Sequence, residues 1–98
     1  MIQSFGDQET YDLFMDETVP DKGCGWASVS GVAYRKLEML DTAGDVLELR
    51  TPPGNRLEKL KGRDDNNWWS IRINDQWRIV FQWTDDGAEL VQITDYHN

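Results

Sequence analysis

The stretch from Trp68 to Trp83, WWSIRINDQWRIVFQW, constrains the fold of this chain more than any other. On both sides of the polar segment 74–76, every second residue is apolar: Trp69, Ile71 and Ile73 before it, and Trp77, Ile79, Phe81 and Trp83 after it. Strict alternation is the period of a β-strand with one buried face. The Asn-Asp-Gln segment is typical of a turn. The stretch therefore predicts a β-hairpin with one face on a hydrophobic core.

The alternation also selects the register of this hairpin. A two-residue loop would place Ile71 opposite Arg78 and mix the two faces, whereas a three-residue loop, 74–76, pairs Ile71 with Ile79. A slip of one residue moves every side chain of a strand to the other face. We therefore expect the three-residue loop, which keeps all the apolar side chains on one face.

The same register places Arg72 directly opposite Arg78 on the other face of the hairpin. Like charges that face each other across two strands destabilise a sheet. Two explanations are open at this point. Either an anion such as a phosphate binds between the two guanidinium groups, or each arginine pairs with a nearby carboxylate.

Length and composition predict one folded domain over residues 1–98. The chain is 39% hydrophobic and has five tryptophans, which is enough for a single core. It has no apolar run of transmembrane length, and its first ten residues do not resemble a signal peptide. Cys24 is the single cysteine and has no partner for an internal disulfide. These features predict a cytoplasmic protein that does not enter a membrane.

The charge of the chain is unevenly distributed. The net charge is −8, which argues against nucleic-acid binding by the chain as a whole. The segment from Arg50 to Arg78, however, contains seven basic and four acidic residues, so it carries a charge of +3 and the remainder of the chain carries −11. A local cationic surface for phosphate groups is therefore expected near the hairpin.

The N-terminal half predicts a short strand and two helices. Residues 1–5 form the candidate strand, and residues 7–14 form a short helix with Asp7 as its N-cap. A longer helix starts at Ser28 or Ser30 and ends near Thr42, because apolar residues recur there at helical spacing. Its solvated face is expected to hold Arg35, Lys36, Glu38 and Asp41.

The C-terminal end predicts a further antiparallel strand, from Glu89 to Tyr96. Residues 85–87 are expected to form a three-residue turn with Gly87 in the left-handed conformation. In that register Ile93 faces Ile79. The predicted sheet core, packed on Leu37 and Leu40 of the longer helix, comprises Trp69, Ile71, Ile79, Phe81 and Ile93.

Five stretches, taken in order, resemble one protein family. They are MIQSF at the start, RKLEMLDTA in the longer helix, PPGNRLEKLKG at 52–62, and the hairpin followed by the terminal DYH at 95–97. Together they are similar to the HigB-type toxins of bacterial toxin–antitoxin systems, a branch of the RelE superfamily. The resemblance covers nearly the whole chain except residues 16–30. It implies an α+β fold in which two N-terminal helices pack on one face of a small antiparallel sheet, as in RelE-like RNases.

This resemblance also implies an activity. Such toxins are metal-independent endoribonucleases without cofactors that cut mRNA on the ribosome and inhibit translation. The ribose 2′-hydroxyl attacks the neighbouring phosphodiester and leaves a 2′,3′-cyclic phosphate. The reaction needs a base, cations around the phosphorane and an acid for the leaving oxygen. The implied partners are the ribosome, mRNA and a helix-turn-helix antitoxin of the HigA type, through which alone operator DNA is bound.

The implied site residues follow from the matching stretches. Lys61 and Arg78 correspond to positions that hold the phosphate, and Asp95, Tyr96 and His97 match the family's terminal motif. His97 is the single histidine, and histidine is the side chain type whose unperturbed pKa lies near neutrality. His97 is therefore either the general acid or a frayed terminal residue. Tyr96 either contacts the RNA or belongs to the core, and Asp95 either orients His97 or pairs with Arg78. An ideal strand cannot present all three on one face, so a bulge is expected there.

One position departs from the family pattern. Glu58 stands where some members carry a catalytic histidine, and a carboxylate at this place can act as a base but also repels phosphate. The further candidate RNA-binding residues are Arg56, Lys59, Arg63 and Arg72. The alternative function is therefore a catalytically weak or inactive toxin-fold module that only binds its antitoxin. No metal site is expected, because His, Cys and carboxylates lack ligand spacing.

Overall fold

The computed structural model describes residues 1–20, 22–61 and 67–95, and within these ranges two α-helices and a four-stranded antiparallel sheet form an α+β arrangement. The elements are α1 (Gln8–Asp16), α2 (Ser30–Thr42), β1 (Glu58–Lys59), β2 (Trp68–Arg72), β3 (Trp77–Thr84) and β4 (Gly87–Asp95). The strands lie in the order β1-β2-β3-β4. The helices of the described ranges are all too short or too polar to cross a membrane.

The predicted register of the central hairpin is confirmed. In the pairing of β2 with β3, Ile71 lies opposite Ile79 and Arg72 lies opposite Arg78. The side-chain oxygen of Asn74 accepts hydrogen bonds from the backbone N–H groups of residues 76 and 77, at 2.9 and 2.7 Å. The side chain thus stabilises the turn, as expected of asparagine in this position.

The turn between β3 and β4 differs from the prediction. Thr84 pairs directly with Gly87, so residues 85–86 form a two-residue turn and β4 starts at Gly87. Gly87 has a φ of +127°, and a Cβ atom on it would lie 1.9 Å from the backbone oxygen of Met1. The glycine is therefore required because the N-terminal segment crosses closely at this point.

A bulge in β4 restores the predicted pairing beyond this turn. Between the pairs Val80–Gln92 and Gln82–Glu89 the register shifts by one residue, and Leu90 there has a φ of 54°. As a result Ile93 lies opposite Ile79, as expected. Without the extra residue, the apolar side chains of β4 would point to the wrong face.

The N-terminal segment lies along the outer edge of β4. A short strand was predicted over residues 1–5, but among the described residues this segment forms only two isolated parallel bridges, Ile2 with Ala88 and Phe5 with Val91. The backbone N–H of Ile2 donates to the carboxylate of Asp41 in α2 at 2.9 Å. Asp41 therefore fixes the N-terminal segment to α2, and it is not simply part of the solvated face of this helix.

Both predicted helices are present and pack on one face of the sheet. The Asp7 side chain caps α1 by accepting from the N–H of Thr10 at 2.8 Å. The hydroxyl of Thr10 in turn accepts from the N–H of Ile93 at 3.1 Å and ties α1 to β4. Gly25, in the loop before α2, has a φ of +89°, and a Cβ atom there would lie 2.7 Å from the ring of Trp77. This close approach explains the glycine.

The predicted core is largely confirmed. Ile71, Ile79 and Phe81 are fully buried and Ile93 is buried, together with Leu37 and Leu40 of α2. Trp69 is only partly buried, because it lies beside the short edge strand β1.

Replacement of Ile79 by alanine is expected to lower the free energy of unfolding by roughly 2–5 kcal/mol, because it leaves a cavity at the centre of the core. Domains of this size are stable by only about 5–15 kcal/mol, so the loss is large. Urea denaturation measures it. Leu47→Ala is the control, since Leu47 is exposed and its truncation should change stability by about 0.5 kcal/mol or less. Similar losses in both variants would contradict the assigned register.

Candidate functional site

The face of the sheet that points away from the helices, the open face, carries the arginine pair. Arg72 pairs with Asp75 in the hairpin turn, and Nη1 of Arg78 lies 3.6 Å from Oε1 of Glu58. Of the two explanations for the facing arginines, the structure shows the pairing of each arginine with a carboxylate. The Asp75 side chain is 95% exposed, and ion pairs with such an exposed partner are weak. A phosphate group can replace this carboxylate at little cost.

Glu58 reaches Arg78 because it belongs to β1, a strand that was not predicted. Glu58 pairs with Ser70 of β2, and side chains directly opposite each other point to the same face. Nη1 of Arg78 also donates to the hydroxyl of Ser70 at 3.5 Å. The two polar side chains thus hold the guanidinium from the β1 side of the sheet.

A cleft of about 250 Å³ lies at this place, and it is lined by Arg56, Leu57, Glu58 and Arg78. The Arg78 side chain is 15% exposed and that of Glu58 is 49% exposed. The cleft therefore combines a held cation with a solvent-accessible carboxylate. A guanidinium can bind two phosphate oxygens at once, and a carboxylate beside it can accept a proton.

The other predicted residues of the basic segment are not all on the open face. Lys59 lies opposite Trp69, on the side of the helices, and its Nζ lies 5.5 Å from the centroid of the Trp69 ring. That distance is typical of a cation–π contact. Lys61 is exposed and directly follows Leu60, whose N–H donates to the Trp68 oxygen at 2.8 Å. Arg63 lies outside the described residues.

The register at the end of β4 places Asp95 on the opposite face of the sheet from Arg78. Thr94 lies opposite Arg78, as predicted, and Asp95 lies opposite Trp77. One Asp95 oxygen accepts a hydrogen bond from the Gln76 side chain at 3.0 Å. The strand remains paired up to Asp95, and the bulge of β4 lies at Leu90. Tyr96 and His97, with the bulge expected beside them, lie outside the described residues.

Two residues outside the cleft lining make a contact that was not predicted. Asn55 was interpreted as a turn residue and Lys36 as part of the solvated face of α2, but Asn55 is fully buried and accepts a hydrogen bond from the Lys36 ammonium. Burial, together with the positive charges of Arg35 and Arg72, lowers the pKa of Lys36. An asparagine in a Pro-Gly turn is ordinarily exposed, so only the long-range contact with α2 could have identified it.

The described residues contain no cluster of three or more His, Cys, Asp or Glu side chains that could hold a metal ion. The charged groups that line the cleft are the guanidinium groups of Arg56 and Arg78 and the Glu58 carboxylate.

Known proteins are similar in sequence to most of this chain. A family model described as the RelE-like toxin of the type II toxin–antitoxin system HigB matches residues 3–97. Toxin HigB-1 of Vibrio cholerae is 46% identical over 71 residues, which are 72% of this chain and 73% of the relative. Endoribonuclease HigB of Proteus vulgaris is 37% identical over 62 residues, which are 63% of this chain and 65% of the relative. These similarities confirm the resemblance seen in the sequence, and the chain belongs to the HigB-like family of RelE-like toxins of type II toxin–antitoxin systems.

Proposed function

We propose that this toxin is an endoribonuclease that cleaves mRNA on the ribosome without a metal ion and so inhibits translation. The observation that carries the proposal is the cleft in which the Arg78 guanidinium lies 3.6 Å from the Glu58 carboxylate. The family match and the Proteus vulgaris relative, which is named an endoribonuclease, support the same activity.

In the proposed reaction the 2′-hydroxyl attacks the adjacent phosphorus and the 5′-oxygen leaves. Glu58 accepts the 2′-proton, and Arg78 stabilises the negative charge of the phosphorane. His97 protonates the leaving oxygen, while Asp95 and Tyr96 orient the histidine and the RNA. The products are a 2′,3′-cyclic phosphate and a free 5′-hydroxyl.

The contact between Glu58 and Arg78 suits such a reaction. In the free protein each charge neutralises the other, which limits the repulsion between Arg78 and Arg72 across the two strands. An RNA phosphate offers the guanidinium two oxygens for a bidentate contact, so it can compete with the Glu58 carboxylate for Arg78. Binding of the phosphate thus frees the carboxylate to act as a base. The remaining cationic residues of the proposed RNA surface are Arg56, Lys61, Arg63 and Arg72.

The proposed partner is a helix-turn-helix antitoxin of the HigA type, since toxins of this family belong to toxin–antitoxin pairs. Operator DNA is bound only through that partner, because a chain with a net charge of −8 is repelled by the phosphates of a duplex. Toxin, antitoxin and ribosome meet in the cytoplasm, and residues 1–98 act as one domain.

A second candidate function is a toxin-fold module that binds its antitoxin without cleaving RNA. The pairing of both arginines with carboxylates favours this alternative, because it lowers the positive potential that would attract mRNA.

Induction of the toxin in bacteria that lack the antitoxin, followed by cleavage assays on ribosomes programmed with end-labelled mRNA, tests the proposal. We expect growth arrest, cuts in ribosome-bound mRNA, no cuts in naked mRNA, and 3′ ends that carry a cyclic phosphate. A folded chain that binds its antitoxin but neither arrests growth nor cleaves mRNA would establish the second function instead.

A further inference from the structure

A partly buried polar contact joins α2 to the loop that leads into the cleft. The Lys36 ammonium donates to the side-chain oxygen of Asn55, which is fully buried. The amide nitrogen of the same asparagine donates to the backbone oxygens of Leu49 and Thr51, at 3.1 and 3.4 Å. Both the oxygen and the nitrogen of the Asn55 amide therefore have hydrogen-bond partners. The amide nitrogen links two parts of the same loop, and Lys36 links this loop to α2.

This loop leads directly into the cleft. Residues 56–58, which follow Asn55 in the chain, supply three of the four cleft-lining residues, and Arg78 on β3 supplies the fourth. Arg56 has a φ of 45°, so the chain turns sharply right after the buried asparagine. A displacement of Asn55 would therefore be passed on to Arg56 and Glu58, whereas Arg78 is held in the middle of the sheet.

We propose that Lys36 is a positioning residue of the active site, which acts through Asn55 to hold Arg56 and Glu58 at the correct distance from Arg78. The inference rests on the proposed function, because it assigns Lys36 a part in the cleavage of RNA. Lys36 lies on α2, outside the cleft lining, and takes no direct part in the reaction.

The choice of a lysine supports this role. The cation is less favourable here than in water, because it is partly withdrawn from solvent and close to the positive charges of Arg35 and Arg72; both effects lower the pKa of Lys36. A neutral donor would satisfy the Asn55 oxygen without that cost. The ammonium, in contrast, makes a stronger, charge-assisted hydrogen bond and fixes the loop more tightly.

Three variants test the proposal. Lys36→Met keeps the length of the side chain and removes the donor, and Lys36→Arg restores a charged donor. Arg35→Met is the matched control, since it removes a cation from an exposed neighbouring position of the same helix. Single-turnover cleavage on programmed ribosomes gives the rate constant at saturation and the toxin concentration at half-saturation.

We expect Lys36→Met to lower the rate constant at saturation about 10- to 100-fold, because misplacement of catalytic groups by about 1 Å has effects of this size. The half-saturating concentration should change less than about threefold, since the cationic residues remain. Lys36→Arg should regain most of the rate, and Arg35→Met should match the wild type. A folded Lys36→Met chain with the wild-type rate constant overturns the proposal, even if its thermal stability is reduced.

Hydrogen exchange separates a failure of this inference from a failure of the proposed function. Faster exchange of the amides of residues 56–58 in Lys36→Met, but not in Arg35→Met, is expected whether or not the chain cleaves RNA. Unchanged exchange in Lys36→Met contradicts the positioning role. If Lys36→Met does not fold, Lys36→Gln replaces it in both measurements. Its uncharged amide makes a weaker hydrogen bond to the Asn55 oxygen than the ammonium does, so smaller changes in the same direction are expected.

Discussion

Replacement of Arg78 by alanine should abolish mRNA cleavage while the chain keeps its fold. The guanidinium is the only cation that the described part of the cleft holds within the sheet, and Glu58 and Ser70 keep it in place. Removal of a single donor that stabilises transition-state charge usually lowers the rate 10²- to 10³-fold. We expect a loss of at least this size in single-turnover cleavage on programmed ribosomes.

The fold should tolerate this change for electrostatic reasons. The substitution removes one of two like charges that face each other across β2 and β3, and the Glu58 carboxylate left behind is half-exposed. Loss of the ion pair itself should therefore change the free energy of unfolding by about 1 kcal/mol or less. Arg50→Ala is the control, because Arg50 is exposed and lies outside the cleft. Full activity in a folded Arg78→Ala chain would remove Arg78 from the mechanism.

The hairpin could be predicted from the sequence because one physical pattern determines it. Alternation of apolar residues over two adjacent runs specifies strands, faces and register at once. The position of Arg72 opposite Arg78 followed from it without further information. The fold class, and the packing of the helices on one face of the sheet, followed from the resemblance and from the helical spacing of apolar residues in 30–42.

β1 and the turn before β4 could not be predicted in the same way. β1 is only two residues long and polar, so it carries no alternation, and it exists because its backbone pairs with β2. In β4 a two-residue turn and a bulge at Leu90 together give the same final register as a three-residue turn. The sequence pattern therefore identified the correct pairs at Ile93 but not the geometry that produces them.

The candidate site likewise contains residues that the sequence predicts and residues that it does not. Arg78 and Arg56 were predicted from charge and resemblance, and the structure brings both to one cleft. The link between Lys36 and Asn55 joins residues 19 positions apart in sequence, and neither has a local signal that distinguishes it from a surface residue. Contacts of this kind depend on how α2 packs against the loop, which is a property of the tertiary structure.

Replacement of Glu58 by glutamine, which has the same shape but cannot accept the 2′-proton, should lower the single-turnover rate constant about 10²- to 10⁴-fold. Binding should become tighter, because the variant no longer offers a carboxylate that competes with the RNA phosphate for Arg78. A lower rate constant together with a lower half-saturating concentration would indicate loss of the base. Loss of phosphate contacts would instead raise the half-saturating concentration.

Deletion of His97 together with Asn98 should cause a loss of similar size, about 10²- to 10⁴-fold, if His97 is the general acid, whereas deletion of Asn98 alone should have almost no effect. Glu58→Gln and the deletion of residues 97–98, measured under the same conditions, show which groups transfer the two protons. A severe loss in Glu58→Gln with a mild loss in the His97 deletion would give both transfers to Glu58 and Lys61. Small and equal losses in the two variants would mean that the cleft acts by holding the phosphate in position for attack, and the acid–base assignment would then be wrong.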